Sequence, residues 1–291
     1  MCLQSLRVGV TLLVCVTVMP KMGRAQQPVP DWENPAVLAR NKEPPKATFV
    51  PFPDLPSALS SHPSPWLLSL NGTWKFNWVR RPSDRPLDFF EDAYDVSGWH
   101  DITVPGNWEV QGFGVPIYTN IPYPFSADPP HIPHDYNPVG SYRRTFTVPD
   151  AWEDKQIFLH FAGVKSAMYV WVNGQEVGYS QGSKTPAEFN ITPHLRRGNN
   201  TLSVEAYRWS DGAYLEGQDY WKISGIERDV YLYAVPLVHI RDFFALPDLD
   251  EAYVDGILHL EVAVRNAGTQ PVTGYVARVN LLDASGAPAF D

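Results

Sequence analysis

The sequence predicts an all-β protein built from sandwich domains, and three observations lead to that prediction. The 291 residues include 28 prolines and 20 glycines, which interrupt the chain too often for long helices. Aromatic residues make up 13% of the chain and recur in short runs that alternate with polar residues, as half-buried strands do. The hydrophobic fraction of 44% is that of a folded globular protein.

Residues 1–25 have the composition of an export signal. Arg7 provides a positive amino-terminal region, residues 8–19 are almost wholly apolar, and Gly23 and Ala25 are small residues suited to cleavage. The apolar run is too short to span a bilayer. We therefore expect a secreted or periplasmic protein from which this segment has been removed.

Both cysteines of the sequence, Cys2 and Cys15, lie in the predicted signal peptide. The mature chain is therefore expected to contain no disulfide. The residues before Cys15 resemble a lipoprotein cleavage box only faintly, because Cys15 lies inside the apolar run and no small residue precedes it. This placement argues against lipidation.

The net charge of -9 narrows the classes of partner. Nucleic acids and anionic lipid surfaces attract proteins through clustered lysine and arginine side chains, which an acidic chain lacks overall. We therefore expect no nucleic-acid partner, and no membrane association after signal cleavage. A neutral ligand suits the composition better.

Residues 26–65 differ in composition from the rest of the chain. They are rich in proline and polar residues and show no sustained hydrophobic periodicity. The segment is predicted to be an extended arm, lying over the next domain or disordered, and not an element of the core.

Residues 66–235 carry the pattern of a two-sheet sandwich. In the run Leu68–Trp78, the side chains of Trp74, Phe76 and Trp78 fall on one face and alternate with polar residues. Similar alternation occurs over 157–161, 201–207 and 229–233. Strands of this length, separated by turn residues, are typical of sandwich domains.

The clearest local prediction is a β-hairpin. Tyr169–Val172 alternates and runs into Asn173-Gly174, after which the chain returns through Val177 and Tyr179. Asn-Gly is the preferred pair for a type I′ turn, which needs positive φ at both central residues.

Residues 236–291 begin the pattern again. Leu258–Val264 alternates, a turn is expected at Asn266–Gly268, and Tyr275–Leu282 is predicted to form a further strand. This order suits the opening of an immunoglobulin-like sandwich. Such a domain needs about 100 residues, so the sequence is expected to contain only part of it.

The most unusual stretch is Trp209–Val230, which is polar, aromatic and glycine-rich. A pyranose ring offers apolar C–H faces to aromatic rings and hydroxyl groups to carboxylates and amides. This stretch supplies both kinds of partner: Asp211, Glu216, Asp219, Trp209, Tyr214 and Trp221. A sugar site is therefore one interpretation of the stretch.

Structural explanations of the same residues stay open. Asp211-Gly212 is an ordinary turn pair, and the two tryptophans could be core residues. A network of ion pairs among Glu216, Asp219 and Arg228 could simply brace the loop.

A second polar and aromatic cluster runs from Pro105 to Pro124. Its glycines and prolines exclude a regular helix and predict a long, stiff loop. Long ordered loops often carry function.

Four motifs give the chain a specific resemblance. They are "VPGNWEVQGFGVPIYTNIPYPF" (104–125), "VGSYRRTFTVP" (139–149), "FAGVKSAMYVWVNGQEVGYSQGSKTPAEFNIT" (161–192) and "RWSDGAYLEGQDYWKISGIERDVYLY" (208–233). In this order they resemble the amino-terminal sugar-binding domain of bacterial β-galactosidases of glycoside hydrolase family 2. The "YTN" and "WSDG" motifs favour that activity over the β-glucuronidases and β-mannosidases of the same family.

The resemblance implies a jelly-roll domain, then an immunoglobulin-like domain and a TIM barrel. It implies that Asn120, of "YTN", reaches the galactosyl group. It also implies that Asp211, of "WSDG", binds the sugar and helps to hold a sodium ion. Magnesium is a second expected cofactor, without an assignable site in this chain. From the residues alone, Asn120 could equally cap its loop.

The family's chemistry is retaining hydrolysis of terminal non-reducing β-D-galactose residues by two glutamates in the barrel. Its acid/base glutamate directly follows an asparagine, and no Asn-Glu dipeptide occurs in these residues. A barrel needs about 250 residues more. We therefore assign no catalytic residue, and we expect this chain alone to be inactive until a barrel is supplied in cis or in trans.

Two further hypotheses remain. One is a stand-alone, non-catalytic carbohydrate-binding module. The other is an amino-terminal fragment that assembles with a complementary chain. Assembly into a homo-oligomer is also left open, because residues 26–65 contain no motif specific enough to predict subunit contacts.

Overall fold

The computed structural model describes residues 29–289. The predicted signal peptide, with Cys2 and Cys15, lies outside the described residues. Within them, the chain forms the following strands: β1 (Ala39–Arg40), β2 (Leu67–Ser69), β3 (Gly72–Val79), β4 (His100–Val104), β5 (Gly106–Asn107), β6 (Ile117–Thr119), β7 (Val139–Thr147), β8 (Gln156–Phe161), β9 (Val164–Lys165), β10 (Ala167–Val172), β11 (Gln175–Gln181), β12 (Ala187–Asn190), β13 (Asn199–Tyr207), β14 (Tyr220–Lys222), β15 (Gly225–Ile226), β16 (Val230–Val235), β17 (Val238–Leu249) and β18 (Gly256–Asn266).

Helices are short. One α-helix, α1, spans Leu55–Ala58. The 3-10 helices are Asp31–Glu33, Pro82–Asp84, Glu109–Gln111, Asp150–Trp152, Thr192–His194 and Asp211–Tyr214. Across residues 29–289, no helix has the length and apolar character needed to cross a bilayer.

Two sheets form the sandwich and confirm the predicted all-β class. The large sheet has seven strands in the order β1-β11-β10-β13-β7-β3-β4, and the small sheet has four in the order β12-β8-β16-β2. The core lies between them. Alternate residues of β3, β7, β10 and β13 meet alternate residues of β8, β12 and β16. Trp74 and Phe76, predicted on one face of their strand, are almost completely buried in this core.

The predicted hairpin is confirmed in register and turn type. β10 pairs with β11, and Val172 lies opposite Gln175. The two residues between them, Asn173 and Gly174, have φ values of 52° and 80°. Positive φ at both positions is the geometry that the Asn-Gly pair predicts.

The arm differs from its prediction as a non-core element. Trp32 is only 5% exposed and stacks on Tyr207 at 5.3 Å between ring centroids. Strand β1 extends the large sheet by pairing with β11. The large sheet's outer face carries tyrosines, including Tyr169 and Tyr179, and this apolar area must be covered. A local pattern in the arm does not reveal that requirement.

Further along, the arm crosses to the outer face of the small sheet. The Lys46 ammonium lies 3.4 Å from the Glu188 carboxylate on β12 and 5.2 Å from the centre of the Tyr233 ring on β16. The arm also contacts β17 and β18. The Ala47 N–H donates to Asp242 at 2.8 Å, and Arg265 donates to Glu43 at 2.8 Å.

The segment after the sandwich agrees with its prediction only in part. The alternating run Leu258–Val264 lies in β18, which pairs with β17. The strand predicted at Tyr275–Leu282 is wrong, because within the described residues its one bridge joins Leu282 to Pro288. Alternation shows that a segment suits a pleated surface, but a strand also needs a partner ladder. Residues 29–289 provide no such ladder for this segment.

Candidate functional site

The two polar and aromatic motifs meet in a short two-stranded ribbon. β6 comes from the 105–124 loop and β14 from the 209–224 stretch, and the two strands are antiparallel. Tyr118 lies opposite Trp221, and Thr119 lies opposite Tyr220. Below the ribbon, β15 pairs with β5 and β9 and joins the same two motifs to the sandwich. The fold therefore brings together residues about 100 positions apart in the chain.

The two tryptophans of the stretch have different environments. Trp209 is 3% exposed and packs in the cluster with Tyr207 and Trp32, so the core interpretation is correct for it. Trp221 is 56% exposed, and its ring lies 5.6 Å from that of Tyr118. The Tyr118 hydroxyl in turn donates to Asp219 at 2.5 Å. An exposed aromatic pair beside a carboxylate is a suitable platform for the C–H face of a sugar.

Asp211 begins the 3-10 helix Asp211–Tyr214 and is 9% exposed. Its Oδ1 accepts a hydrogen bond from the Gly212 N–H at 3.0 Å, as the turn interpretation predicts. Burial raises the pKa of this carboxyl group, against the opposing effect of hydrogen bonds from Gln181 and Gly212. Asp211 is therefore a partly buried acceptor at the edge of the surface.

Asn120 directly follows β6 and is exposed. Its Oδ1 accepts a hydrogen bond from the Ile121 N–H at 2.8 Å, so the loop-capping interpretation describes this contact correctly. Its Nδ2 donates to no other residue in the described range. A role in binding galactose stays a prediction for both Asn120 and Asp211.

The loop after Asn120 contacts the helix that Asp211 begins. The Tyr123 hydroxyl donates to the Tyr214 carbonyl at 3.0 Å, and the two rings are 5.2 Å apart. A narrow cavity between the motifs is lined by residues that include Phe125 and Trp209. It has room for about one water molecule. Beside it, a larger cavity of about 390 Å³ that is open to solvent is lined by residues that include Ile117, Tyr136 and Trp209.

Beneath the ribbon is a buried ion pair that the sequence did not single out. Arg208 Nη1 lies 3.4 Å from Glu109 Oε1, and both side chains are 1% exposed. Arg208 also donates to the carbonyls of Val115 and Lys222, and Glu109 accepts from the Ser224 N–H. A sequence signal was present, because Arg208 is a charged residue directly after β13, a strand in which apolar and polar residues alternate.

Three lysines lie around the phenol ring of Tyr220 in β14. The ammonium groups of Lys165, Lys184 and Lys222 lie 4.6, 5.7 and 4.1 Å from the centre of the Tyr220 ring. Lys165 is 3% exposed, and it donates to the Tyr220 hydroxyl at 3.3 Å. Burial and the charge of Lys184 lower the pKa of Lys165 to about 8.

Lys165→Met should stabilise the protein by about 2 kcal/mol at pH 7. The fall in pKa from 10.5 to about 8 costs the folded state about 3 kcal/mol. Replacing the lysine removes this cost, but it also removes the hydrogen bond to Tyr220, which contributes about 1 kcal/mol to stability. The cost is complete below pH 8 and disappears as the pH rises to 10.5, because the unfolded chain keeps its proton across that window.

Denaturant unfolding of wild type and Lys165→Met between pH 7 and pH 10.5 measures this difference. Tyrosines that do not contact Lys165 contribute equally in both proteins and cancel in the comparison. Parallel stability curves would show that Lys165 keeps its proton equally in both states, contrary to the prediction.

The predicted network of ion pairs among Glu216, Asp219 and Arg228 is wrong. Within the described residues, these three side chains do not pair with one another. Glu216 accepts from the Ser183 backbone N–H at 2.8 Å, and Arg228 donates to the Lys184 carbonyl at 3.1 Å. Asp219 bonds to the Tyr118 hydroxyl. Each loop charge is satisfied by a partner distant in sequence, so proximity along the chain misled the prediction.

Asp211 is the residue expected to help hold a sodium ion. A carboxylate is a hard oxygen ligand suited to an alkali or alkaline-earth cation. However, residues 29–289 contain no group of three or more acidic, histidine or cysteine side chains that could hold a metal. Hard cations also take backbone carbonyl and amide oxygens as ligands, so Asp211 offers one candidate ligand and the sodium site stays a prediction.

Comparison with known proteins agrees with the resemblance. Residues 67–236 match the family model for the sugar binding domain of glycosyl hydrolases family 2. A β-galactosidase of Priestia megaterium is 42% identical over 263 residues, covering 88% of this chain and 25% of the relative. One of Vibrio cholerae is 46% identical over 218 residues, covering 75% of this chain and 21% of the relative.

A solved structure supports the same assignment. The β-glucuronidase of Bacteroides uniformis matches with a TM-score of 0.55 and 28% identity, over 69% of this chain and 22% of that one. The chain spans about a quarter of the length of the curated relatives that it matches. With the family model covering more than half of the residues, the chain belongs to glycosyl hydrolases family 2.

Proposed function

We propose that this chain is the amino-terminal part of a secreted β-galactosidase, and that its jelly-roll domain supplies Asn120 and Asp211 to the galactose site. The observation that supports this most is the pairing of β6 with β14, which joins the "YTN" motif to the "WSDG" stretch. The relatives with 41–46% identity are β-galactosidases.

The chemistry of these residues suits hydroxyl recognition. The Asp211 carboxylate can accept hydrogen bonds from sugar hydroxyls, and the Asn120 amide can both donate and accept. The exposed ring of Trp221 offers an apolar face nearby. Because these side chains would contact only part of a galactose, most of its hydroxyls would stay in water. We expect weak binding, millimolar or weaker, by this chain alone.

Hydrolysis would require groups outside these residues. A retaining glycosidase uses two carboxyl groups about 5–5.5 Å apart, one as nucleophile and one as acid and then base. In this proposal, both belong to the part of the relatives that the chain does not span.

Export through residues 1–25 is part of the same proposal. Mass spectrometry of the mature protein tests it, because cleavage of the signal would leave an amino terminus near Gln26.

Asp211→Asn should abolish galactose binding with little change in stability. Asparagine keeps the size of the side chain but removes the charged acceptor for sugar hydroxyls. We expect loss of the galactose signal in ligand-observed NMR, with a melting temperature within a few degrees of wild type. Asp229→Asn, an exposed carboxylate that bonds to Asn71, is the control and should retain the signal.

A large fall in melting temperature for Asp211→Asn would instead support a purely structural turn residue. Micromolar galactose affinity in calorimetry would favour the stand-alone carbohydrate-binding module.

The first measurement for the complete protein is the DNA sequence beyond the codon for Asp291. An open frame that encodes an Asn-Glu motif and a barrel-length segment supports the enzyme, and a stop codon without a barrel gene nearby opposes it.

A further inference from the structure

One buried side chain contacts both strands of the ribbon. Arg208 follows β13 and is 1% exposed. Its Nη2 donates to the Val115 carbonyl at 2.9 Å and to the Lys222 carbonyl at 2.8 Å. Val115 lies two residues before β6, and Lys222 ends β14 opposite Ile117. A single nitrogen therefore ties both strands of the ribbon at the same end.

Glu109 adds a second tie between the same segments. Its Oε1 lies 3.4 Å from Arg208, and its Oε2 accepts from the Ser224 N–H at 2.8 Å. The rings of Trp209 and Tyr136 lie 5.0 and 5.7 Å from the guanidinium carbon. The guanidinium plane is thus fixed by charge, by two carbonyls and by aromatic contacts.

The position of this pair connects the two predicted galactose-binding residues. Arg208 is three residues before Asp211 in the chain, and the ribbon that it ties ends one residue before Asn120. We propose that Arg208 is a positioning residue that sets Asn120 relative to Asp211, so that one galactose can contact both. This inference rests on the proposed function.

The buried charges themselves favour positioning over stability alone. Desolvating an ion pair is costly, and an apolar pair of similar volume often gives equal or greater stability. Moreover, Arg208 Nε and Glu109 Oε1 have no hydrogen-bond partner among the described residues. The pair is therefore not optimised as a stabilising contact. An apolar pair could not donate hydrogen bonds to two carbonyls from different loops, as Arg208 does.

Arg208→Lys tests the inference on the full chain. A lysine has one nitrogen where arginine has three, so it cannot donate to both carbonyls and also contact Glu109 and the Tyr136 hydroxyl as Arg208 Nη1 does. We expect amide hydrogen exchange in 115–123 and 218–224 to become at least roughly tenfold faster, with the rest of the sandwich unchanged. We also expect the NMR resonance of the Trp221 indole to move and the galactose signal to disappear.

Arg143→Lys is the matched control. Arg143 is 7% exposed and also donates to backbone carbonyls, but these belong to Phe89, Asp92 and Tyr94, outside both ribbon motifs. This variant should lose melting temperature to a similar extent and leave ribbon exchange and galactose binding unchanged. If Arg208→Lys does not fold, Glu109→Gln removes the charge with little change of shape and should give the same pattern.

Chemical rescue adds a readout that a general loss of stability would not give. In Arg208→Ala, added guanidinium chloride at a concentration too low to unfold the protein should restore the galactose signal, whereas equal sodium chloride should not. Uniformly faster exchange across the sandwich in Arg208→Lys would overturn the inference, as would intact galactose binding. No galactose signal with the wild type would overturn the proposed function, while ribbon exchange would still decide whether Arg208 holds the ribbon.

Discussion

Trp108→Ala should lower the free energy of unfolding by about 3–5 kcal/mol, the usual cost of truncating a fully buried tryptophan. The Trp108 side chain is 0% exposed and lies 5.9 Å from the ring of Phe76. Its indole N–H donates to the Tyr142 hydroxyl, so truncation also leaves a buried hydroxyl without that partner. Denaturant unfolding followed by circular dichroism measures the loss.

The surroundings of Trp108 allow little relaxation into the space left behind. A Cβ atom at Gly140 would lie 2.5 Å from the Trp108 ring, and one at Gly225 would lie 2.9 Å from it. Both glycines therefore pack directly against the indole, and neither carries a side chain that could move into the space left by its truncation. A cavity that cannot collapse costs more than one that can.

Trp221→Ala is the control on the other site motif. Trp221 is 56% exposed, so its truncation should cost less than about 1 kcal/mol. A loss for Trp108→Ala no larger than that for Trp221→Ala would mean that Trp108 does not anchor the loop at 105–124 in the core. The same pair of variants separates the core tryptophan from the surface tryptophan in the site motifs.

The sequence correctly predicted those features of the fold that depend only on residues close together in the chain. The hairpin turn follows from the need for positive φ at Asn173 and Gly174, and only two residues are required to recognise it. The alternation around Trp74 and Phe76 follows from one buried face of a sheet. In each case, the residues that carry the signal are neighbours in the chain.

The parts that were missed depend on distant partners. Glu109 and Ser224 are 115 positions apart, and Trp32 of the arm stacks on Tyr207, which lies far along the chain in β13. Nothing within either local segment specifies these contacts. The same limit explains the ion-pair network wrongly predicted for Glu216, Asp219 and Arg228, whose actual partners come from other loops.

Glu188→Ala should destabilise the protein by about 3–5 kcal/mol and release the arm from the small sheet, because it breaks a buried charge cluster. Glu188 Oε1 contacts His160 Nδ1 at 2.9 Å and Lys46 Nζ at 3.4 Å, and Oε2 accepts from the Tyr233 hydroxyl at 3.2 Å. Removing the carboxylate leaves the Lys46 ammonium buried without its counter-charge. Unfolding free energy and trypsin cleavage after Lys42 and Lys46 measure the two effects.

The pH dependence of the wild type should follow from the same carboxylate. Burial opposes its ionisation, but the hydrogen bond from His160 and the charge of Lys46 outweigh burial and hold the pKa of Glu188 below 4.5. Its contribution to stability is therefore complete above the unfolded pKa of 4.5 and is lost as the pH falls through the lower folded value. Trypsin is inactive in acid, so pepsin cleavage within the arm reports release at low pH.

Glu176→Ala supplies the control for the arm. Glu176 pairs with Arg40 of the arm at 3.3 Å, but both side chains are close to half exposed. Exposed pairs contribute about 0–1 kcal/mol, so this variant should keep the arm protected. Equal protease sensitivity of the two variants would show that the arm is held by its backbone pairing and by Trp32, and not by the buried charges around Glu188. We expect greater protease sensitivity in Glu188→Ala than in Glu176→Ala, which would show that the contacts of Glu188 hold the arm against the small sheet.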